Sequence, residues 1–345
     1  MIVIEPQANI SVHVTVMLEP VITWLQPHDG GCYVDCTLGG GGHTAALLAA
    51  SAPTGRVMAI DADPAARARV ALRQVDAIAT GRLTLVAGNF RDLAAHVTAA
   101  NLGPVDGIVM DLGLSSDQLA DRERGFSFIG DAPLDMRFDP TQGESAADLL
   151  ATRSETEIAN IIYQFGEERK SRSIAQRIVA QRESNQPITS TAQLARIVAS
   201  VIQRRTGGIH PATRTFQALR IAVNDELGEL YRALEAAERA LKEGGVLSVV
   251  TFHSLEDRIV KQFFASRTGK GQAISRYLPG EIAPPVATFK FEAKQPVLPS
   301  QQETSDNPRA RSAKLRFATR LAAPARPADP NLAKLAGLPE PVRRR

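Results

Sequence analysis

The sequence predicts an α/β fold in which a parallel sheet is covered by helices and interrupted by a mainly helical insertion. Three observations predict it. Short apolar runs alternate with helical patterns over the first 111 residues. About a hundred residues with helical periodicity and little strand alternation then follow Asp111. The alternation of helices and strands resumes at Asn224, so we expect the insertion to divide the sheet into two sequence segments.

Four strands are predicted before the insertion, and each is followed closely by glycine or a polar residue. A run of four glycines comes after the first strand. The helix after the second strand begins at Pro64, since proline suits the first helical turn. Because parallel strands end together, we expect the four carboxyl ends to share one sheet edge. The predicted strands cover residues 32–36, 56–60, 83–86 and 105–110.

The predicted elements after the insertion are a helix, a strand and a second helix, over residues 225–245, 246–252 and 254–266. Two alternating segments, 287–293 and 313–319, are expected to form an antiparallel pair at the sheet edge. Several prolines and three final arginines indicate a flexible basic tail. The predicted division is a first sheet segment at 1–117, an inserted domain at 118–223, a second sheet segment at 224–322 and the tail at 323–345.

The composition is that of a soluble globular protein. The chain has 345 residues, of which 44% are apolar and 22% charged, which suits about two domains. No apolar run approaches the ~20 residues that cross a bilayer, and the N-terminus lacks the basic start and apolar centre of a signal peptide. We therefore expect a cytoplasmic protein without a membrane partner.

The two cysteines, Cys32 and Cys36, have no second pair with which to complete a zinc site or a disulfide framework. We expect both to be small buried strand residues, with no redox or metal role.

Charge is divided unevenly along the chain, although the net charge is only +3. Residues 169–220 contain 10 basic residues and one acid, whereas residues 118–168 contain 4 basic and 11 acidic residues. The segment from Lys294 to the C-terminus has 11 basic residues against 4 acids. Such blocks indicate a bipolar surface with one face suited to a polyanion, although solvated helix faces explain them in part. A bipolar surface is also compatible with a homodimer.

A glycine run between a strand and a helix lets the backbone approach a ligand closely and directs helix N–H groups at it. The run at 39–42, followed by His43, has this position, but its spacing is not that of a dinucleotide site and also suits a plain strand-to-helix turn. Asp61 ends the second strand, where acids hold ribose hydroxyls. Asp63 is interpreted as a helix cap.

Two further features follow the third and fourth strands. Phe90 lies on a loop where it could flank an adenine ring or anchor the core. Asp111 ends the fourth strand, the position from which α/β enzymes present reactive groups, although a structural acid is an alternative there. The strand-end features together indicate a crevice for a nucleoside cofactor.

Motifs across nearly the whole chain, excluding the proline-rich tail, resemble those of a bacterial methyltransferase family. This family uses S-adenosylmethionine to modify N4 of a cytidine in the decoding region of 16S ribosomal RNA. The segments that carry the resemblance are 34–44 (VDCTLGGGGHT), 111–116 (DLGLSS), 118–128 (QLADRERGFSF), 133–139 (PLDMRFD), 210–219 (HPATRTFQAL), 251–261 (TFHSLEDRIVK) and 307–316 (NPRARSAKLR). The chain departs from the family pattern at residue 117, where it has Asp and the family pattern has proline.

The resemblance implies a class I, Rossmann-like methyltransferase sheet with an inserted helical domain that faces the RNA. It also implies an enzyme that consumes S-adenosylmethionine, releases S-adenosylhomocysteine and needs no metal. The implied partner is 16S ribosomal RNA, expected within the assembled small subunit, with free RNA as the alternative. The implied cofactor contacts are Gly41, Gly42, His43, Asp61, Phe90, Asp111 and Gln118.

The exocyclic amine of cytosine is a weak nucleophile, so an enzyme must accept its N–H hydrogen bonds and align the nitrogen with the methyl group. The carboxylate of Asp111, or a carbonyl as far as Gly113, is suitably placed, which makes Asp111 the candidate catalytic residue. The Asp-Pro-Pro-aromatic segment of many amino-methyltransferases is absent at this strand end. Phe126 and Phe128 are candidates to stack on the base, with a core role as the alternative.

Several basic residues are candidates for RNA contacts, since guanidinium groups both pair with phosphate and stack on bases. A structural ion pair is the alternative for each arginine, and a helix-entry role is the alternative for His253. The candidates are Arg137, Arg214, His253, Arg309 and Arg311, with Lys314 and Arg316 in the same cluster.

Three other functions remain open at this point. An NAD(P)-dependent dehydrogenase is disfavoured by the glycine spacing, and a DNA-directed amino-methyltransferase by the missing Pro-Pro-aromatic segment. A non-catalytic RNA-binding or assembly protein would depend on the basic block at 169–220 and not on Asp111.

Overall fold

The computed structural model describes residues 14–202, 210–269 and 285–338. Residues 1–13, Arg204 and Arg205 of the basic block, and the three final arginines lie outside these ranges.

The described residues form a seven-stranded sheet with the order β3-β2-β1-β4-β5-β7-β6. Strands β1 to β5 are parallel, and β7 lies antiparallel between β5 and β6. This sheet confirms the predicted α/β, Rossmann-like fold. The strands are β1 (Cys32–Asp35), β2 (Arg56–Asp61), β3 (Leu83–Ala87), β4 (Val105–Asp111), β5 (Leu241–Thr251), β6 (Phe289–Lys290) and β7 (Lys314–Arg320).

The helices before the insertion are α1 (Leu18–Leu25), α2 (Gly42–Ala50), α3 (Pro64–Arg73), α4 (Val75–Ala79) and α5 (Leu93–Ala99). The next are α6 (Ser116–Ala120), α7 (Ala146–Thr152), α8 (Glu155–Gly166), α9 (Ser171–Glu183), α10 (Thr191–Val201) and α11 (Thr213–Asn224). The last are α12 (Glu226–Ala240), α13 (Ser254–Arg267), α14 (Gln301–Asp306) and α15 (Pro330–Ala336). Short 3-10 helices cover Phe90–Asp92, Arg122–Arg124 and Pro308–Ser312. No helix in the described ranges is long and apolar enough to cross a membrane.

The chain divides into two compact units. The first consists of Met1–Ser116 and Glu229–Ala333 and contains the sheet. The second consists of Asp117–Gly228 and the segment that begins at Lys334. The insertion predicted at 118–223 lies within the segment Asp117–Gly228 of the second unit, and the chain returns to the first unit at Glu229, within α12.

In the first unit, apolar strand residues form the core. Val34, Met58, Ile108 and Val249 are each 0% exposed, as expected for strands covered on both faces. Trp24 of α1 stacks on Phe317 of β7 with ring centroids 4.0 Å apart, which fixes α1 against the sheet.

In the second unit, three helices (α7, α8 and α10) begin at serine caps. Ser145, Ser154 and Ser190 each accept a hydrogen bond from the backbone three residues later, and the side chain there bonds back to the serine N–H. These capping boxes satisfy N–H groups that have no partner within the helix. The prediction of a mainly helical insertion is confirmed.

Three predicted boundaries need correction. The helix expected to reach residue 245 ends at Ala240, and β5 begins before the glycine pair, with a register irregularity opposite β4 between Val105 and Gly107. The strand predicted at 287–293 pairs with β7 only over Phe289–Lys290.

The prediction of a flexible tail from residue 323 is wrong as far as Leu338. The buried carboxylate of Glu238 accepts a hydrogen bond from Arg267 Nε at 2.9 Å and from the Arg326 N–H at 3.3 Å. Asp329 N–H donates to Glu235 at 2.8 Å, and α15 follows with Leu332 buried. The prolines here are compatible with a packed segment. Pro330, for example, occupies the first turn of α15, where a backbone N–H would have no partner within the helix.

Candidate active site

The glycine run at 39–42 forms a loop without side chains at the carboxyl edge of the sheet, and this loop, with the start of α2, is called the cradle below. Gly41, with φ 79°, caps α2. A Cβ atom on Gly41 would lie 2.8 Å from Val70 Cγ2, and one on Gly42 would lie 1.8 Å from Thr15 Oγ1. Side chains are therefore excluded at both positions, and the first N–H groups of α2 have no partner within the helix. Such a helix start suits an anionic ligand group.

Asp61 closes one side of this cradle. Its carboxylate accepts hydrogen bonds from Gly39 N–H and Asp63 N–H, both at 2.8 Å. Burial raises the pKa of Asp61 to about 6, although these two N–H groups lower it. Asp63 itself caps α3 by accepting from Ala65 N–H at 2.9 Å, which confirms its predicted role.

Asp111 and His43 lie on the other side of the cradle and are close together. Nε2 of His43 is 3.4 Å from Oδ2 of Asp111, and the two side chains are only 3% and 10% exposed. Oδ1 of Asp111 is buried and has no hydrogen-bond partner among the described residues. Asp111 therefore presents an acceptor atom to which a ligand could donate.

A second buried acid, Asp35, supports this arrangement and was missed by the sequence analysis. It accepts from Thr44 Oγ1 at 2.7 Å and from Thr37 N–H at 3.1 Å. Thr37 Oγ1 in turn accepts from Asp111 N–H at 2.7 Å, so a chain of contacts joins the ends of β1 and β4. The available signal was an acid inside the apolar run CYVDC, since charged residues are rarely buried without partners.

The charges in this network influence one another. Burial raises the pKa of Asp35, against the opposing effect of His43 and of its hydrogen bonds. Burial alone would lower the pKa of His43, but the Asp111 and Asp35 carboxylates outweigh it and raise that pKa above its ordinary value. The site thus combines an imidazole inclined to hold a proton with carboxylates on both sides.

Phe90 and Gln118, the two other predicted cofactor contacts, have different positions. Phe90 begins the 3-10 helix after β3, at the same sheet edge, and is half-buried. Gln118 is buried in α6 and belongs to the second unit. Their contacts with a cofactor stay predictions.

The basic candidates of the first unit have mixed surroundings. Arg309 is exposed and donates to the Ser116 hydroxyl, beside the loop that follows β4. Arg311 is exposed in the same 3-10 helix. Lys314 and Arg316 of β7 both pair with Asp257, at 3.1 and 2.7 Å, the alternative foreseen for them.

His253 caps α13. Its side chain accepts from Glu256 N–H, and Glu256 Oε2 accepts from His253 N–H at 3.2 Å. This is the alternative that the sequence analysis gave, and an RNA contact by His253 stays a prediction.

In the second unit, the residues predicted to contact RNA already have partners within the protein. Arg137 forms an ion pair with Asp135, with Nη2 and Oδ2 2.6 Å apart, and Arg214 donates to the Glu167 carbonyl at 3.3 Å. Phe126 is buried, and Phe128 stacks on His210 with centroids 4.4 Å apart. Both rings therefore have packing partners, and base stacking by either one stays a prediction.

Part of the basic block at 169–220 stabilises helix ends. Arg182 Nη1 donates to the Leu150 carbonyl at 2.9 Å and to two further carbonyls at the end of α7. Lys170 Nζ donates to the Val201 carbonyl at 3.0 Å at the end of α10. Cationic groups are favourable there because of the helix dipole. Arg169, Arg177 and Arg196 are exposed.

The cysteines occupy positions near those predicted. Cys32 lies half-buried in β1, and Cys36 is buried directly after that strand. Burial raises the pKa of the Cys36 thiol well above its ordinary value, so the reactive thiolate is disfavoured.

Sequence comparison with known proteins identifies the family of this chain. A model of the MraW methylase family matches residues 10–321. The ribosomal RNA small subunit methyltransferase H of Beijerinckia indica subsp. indica is 57% identical over 330 residues, which cover 95% of this chain and 91% of that protein. Its namesake from a Methylobacterium species (strain 4-46) is 55% identical over 95% of this chain and 96% of that protein. With the sheet and the strand-end site described above, these matches show that the chain belongs to the MraW methylase family.

Proposed function

We propose that the chain methylates the N4 amine of a cytidine in 16S ribosomal RNA, with S-adenosylmethionine as methyl donor and S-adenosylhomocysteine as product. The observation that carries this proposal is the buried Oδ1 atom of Asp111, a carboxylate acceptor without a described partner at the end of β4. Membership of a methylase family favours methyl transfer over the dehydrogenase alternative.

The residues at the sheet edge fit the chemical groups of S-adenosylmethionine. The N–H groups of Gly42 and His43 at the start of α2 would hold its carboxylate, since side chains are excluded from the cradle. Asp61 would accept from the ribose hydroxyls, and Phe90 would contact the adenine. When bound, S-adenosylmethionine supplies an activated methyl group and a neutral thioether leaving group.

The chain's own residues must make the cytosine amine reactive. Its lone pair is delocalised into the ring, so accepting a hydrogen bond from N4 draws electron density back onto that nitrogen. Oδ1 of Asp111 can accept this bond, while Oδ2 faces His43 at 3.4 Å. The hydrogen bond from Asp111 N–H to Thr37 fixes the end of β4. Alignment of this kind accounts for a large part of the rate enhancement of many enzymes.

After transfer, the methylated nitrogen carries a positive charge and is strongly acidic. Asp111 or water takes the proton. No cysteine nucleophile is required, because nitrogen attacks the methyl group directly. No metal is required, because the sulfonium already provides the leaving group.

We propose that the insertion at 118–223 recognises the RNA. Exposed arginines in this segment, among them Arg169 and Arg177, suit phosphate contacts. The target cytidine would be turned out of its stack to reach Asp111, at a cost of a few kcal/mol. The assembled small subunit is the proposed substrate, which places the protein in the cytoplasm. A homodimer stays a prediction.

The role of Asp111 is tested by Asp111→Asn, measured as single-turnover methylation of unmodified small subunits. We expect the rate to fall by about 100-fold or more, a typical loss for a positioned acceptor. The matched control is Asp106→Asn on the same strand β4. Asp106 lies at the opposite edge, where it accepts from Cys32 N–H at 2.9 Å and pairs with Lys242.

Asp106→Asn should retain the methylation rate and lower only the thermal stability. Equal rates for Asp111→Asn and the unaltered protein would contradict the proposed role, and would favour a non-catalytic RNA-binding protein if RNA binding persisted.

A further inference from the structure

One face of α3 contacts both loops that bound the cradle. Arg67, Val70 and Arg73 are spaced three residues apart and therefore lie on one helix face. Arg73 Nη2 donates to the Gly40 carbonyl at 2.6 Å, and Arg67 Nη1 donates to the Asp61 carbonyl at 2.6 Å. Two guanidinium groups of one helix thus hold the backbone after β1 and at the end of β2.

The peptide between Gly40 and Gly41 is held at both ends. Its carbonyl accepts from Arg73, and its N–H donates to the Leu38 carbonyl at 2.6 Å. Because a peptide is planar, these two bonds fix the orientation of the whole unit. Val70 contacts the same turn, since its Cγ2 occupies the place that a Gly41 Cβ would need.

We propose that Arg73 is a positioning residue for the methyl donor. It acts through the Gly40 carbonyl and keeps the next N–H groups, those of Gly42 and His43, in the orientation that binds the donor's carboxylate. Glycine backbones are flexible, so the orientation of this loop depends on its contacts. A hydrogen bond from a charged donor such as Arg73 is among the stronger hydrogen bonds in proteins. This inference rests on the proposed function, because it assigns the cradle to S-adenosylmethionine.

The experiment compares Arg73→Met, Arg73→Lys and Arg82→Met in the full chain. Arg82 is a matched control, because it too donates to backbone carbonyls, those of Gly55 at 3.0 Å and Leu48 at 2.6 Å, near the amino ends of the strands. Arg73 is exposed, so its replacement leaves the core intact. The measurements are calorimetric binding of S-adenosylhomocysteine, KM for S-adenosylmethionine, kcat on unmodified small subunits, and Tm.

Arg73→Met should weaken binding and raise KM by roughly tenfold or more, as expected for loss of a charge-assisted hydrogen bond, with kcat nearly unchanged. Arg73→Lys should recover most of the affinity, because its ammonium can still donate. Arg82→Met should lower Tm and leave KM unchanged.

Unchanged binding in Arg73→Met would overturn the inference, as would an equal rise of KM in Arg82→Met. If Arg73→Met does not fold, Arg73→Gln is compared with Arg82→Gln, because a positioning role predicts a rise of KM for S-adenosylmethionine only in the Arg73 variant. Failure of the unaltered protein to bind S-adenosylhomocysteine would instead count against the proposed function.

Discussion

Three carboxylates at the ends of parallel strands, those of Asp35, Asp61 and Asp111, have different surroundings in this protein. Asp61 already accepts from two N–H groups of the backbone, whereas Asp111 keeps one buried oxygen without a described partner. Asp35 lies deeper and bonds to Thr44 and Thr37. Asp61 thus suits hydroxyl recognition, Asp111 suits the reacting amine, and Asp35 organises the backbone beneath them.

The raised pKa of Asp61 predicts a pH dependence of cofactor binding. With a pKa of about 6, Asp61 of the free protein gains a proton as the pH falls through 6, and a protonated carboxyl is a poor acceptor for ribose hydroxyls. Binding of S-adenosylhomocysteine should therefore weaken below pH 6, by up to about tenfold per pH unit. Calorimetric titrations between pH 7.5 and 5 measure this.

Asp61→Asn is the control for this prediction. It should bind weakly at every pH and show a flatter pH profile, since the titrating group has been removed. A profile as steep as that of the unaltered protein would mean that another group, such as His43, takes up the proton.

The sequence predicts the site residues that follow strands, because strand ends are recognisable from apolar runs. It does not predict which carboxylate oxygen atoms are left without a protein hydrogen bond and so can accept one from a ligand. Arg73 is a further example: its position in PAARARVALR resembles an exposed helix arginine, and only the fold brings its guanidinium to Gly40.

At the scale of elements, the entry to α2 is a tightly constrained turn of the site. Gly41→Ala should abolish most cofactor binding, because its φ of 79° is unfavourable for alanine and its Cβ would lie 2.8 Å from Val70. The matched control is Gly81→Ala, with φ 72° and nothing within 4 Å of the added atom. Both variants carry backbone strain on the order of 1 kcal/mol.

Measurements of thermal unfolding and of S-adenosylhomocysteine binding by these two variants separate the effect of backbone strain, which both share, from the effect of a side chain in the cradle. Gly81→Ala should lower Tm and retain the affinity. Similar affinities in the two alanine variants would contradict the importance of the bare backbone at Gly41.

The elements whose boundaries were mispredicted share a physical cause. The glycines at 244–245 resemble a helix end, yet β5 already pairs with β4 at Leu241, where tertiary pairing overrides local preference. The prolines after residue 323 resemble a disordered tail, yet Glu238 and Glu235 bind the backbone of this segment. Such long-range partners have no signature in the local sequence.

At the scale of the whole molecule, the distribution of charge predicts how the proposed RNA substrate would be bound. Part of the basic block stabilises helix ends, so fewer phosphate contacts are expected than its charge suggests. Replacement of Arg169 and Arg177 by glutamine should weaken RNA binding and reduce the slope of log affinity against log salt by about 1 to 2, as for one or two lost phosphate contacts. Filter binding over a range of salt concentrations measures this.

The control for the RNA prediction is Arg182→Gln, which removes a helix-end contact. It should lower Tm with a smaller effect on the salt slope. An unchanged slope in the Arg169 and Arg177 variant would contradict the assignment of this surface to RNA.

The most direct test of the central claim identifies the methylated product. The purified protein is incubated with isotope-labelled S-adenosylmethionine and with unmodified small subunits, free 16S ribosomal RNA or DNA, and the nucleosides are then separated and identified by mass. We predict label in N4-methylcytidine from the small subunits. Label in a different nucleoside, label in DNA alone, or no label from a protein that binds S-adenosylhomocysteine would contradict the claim.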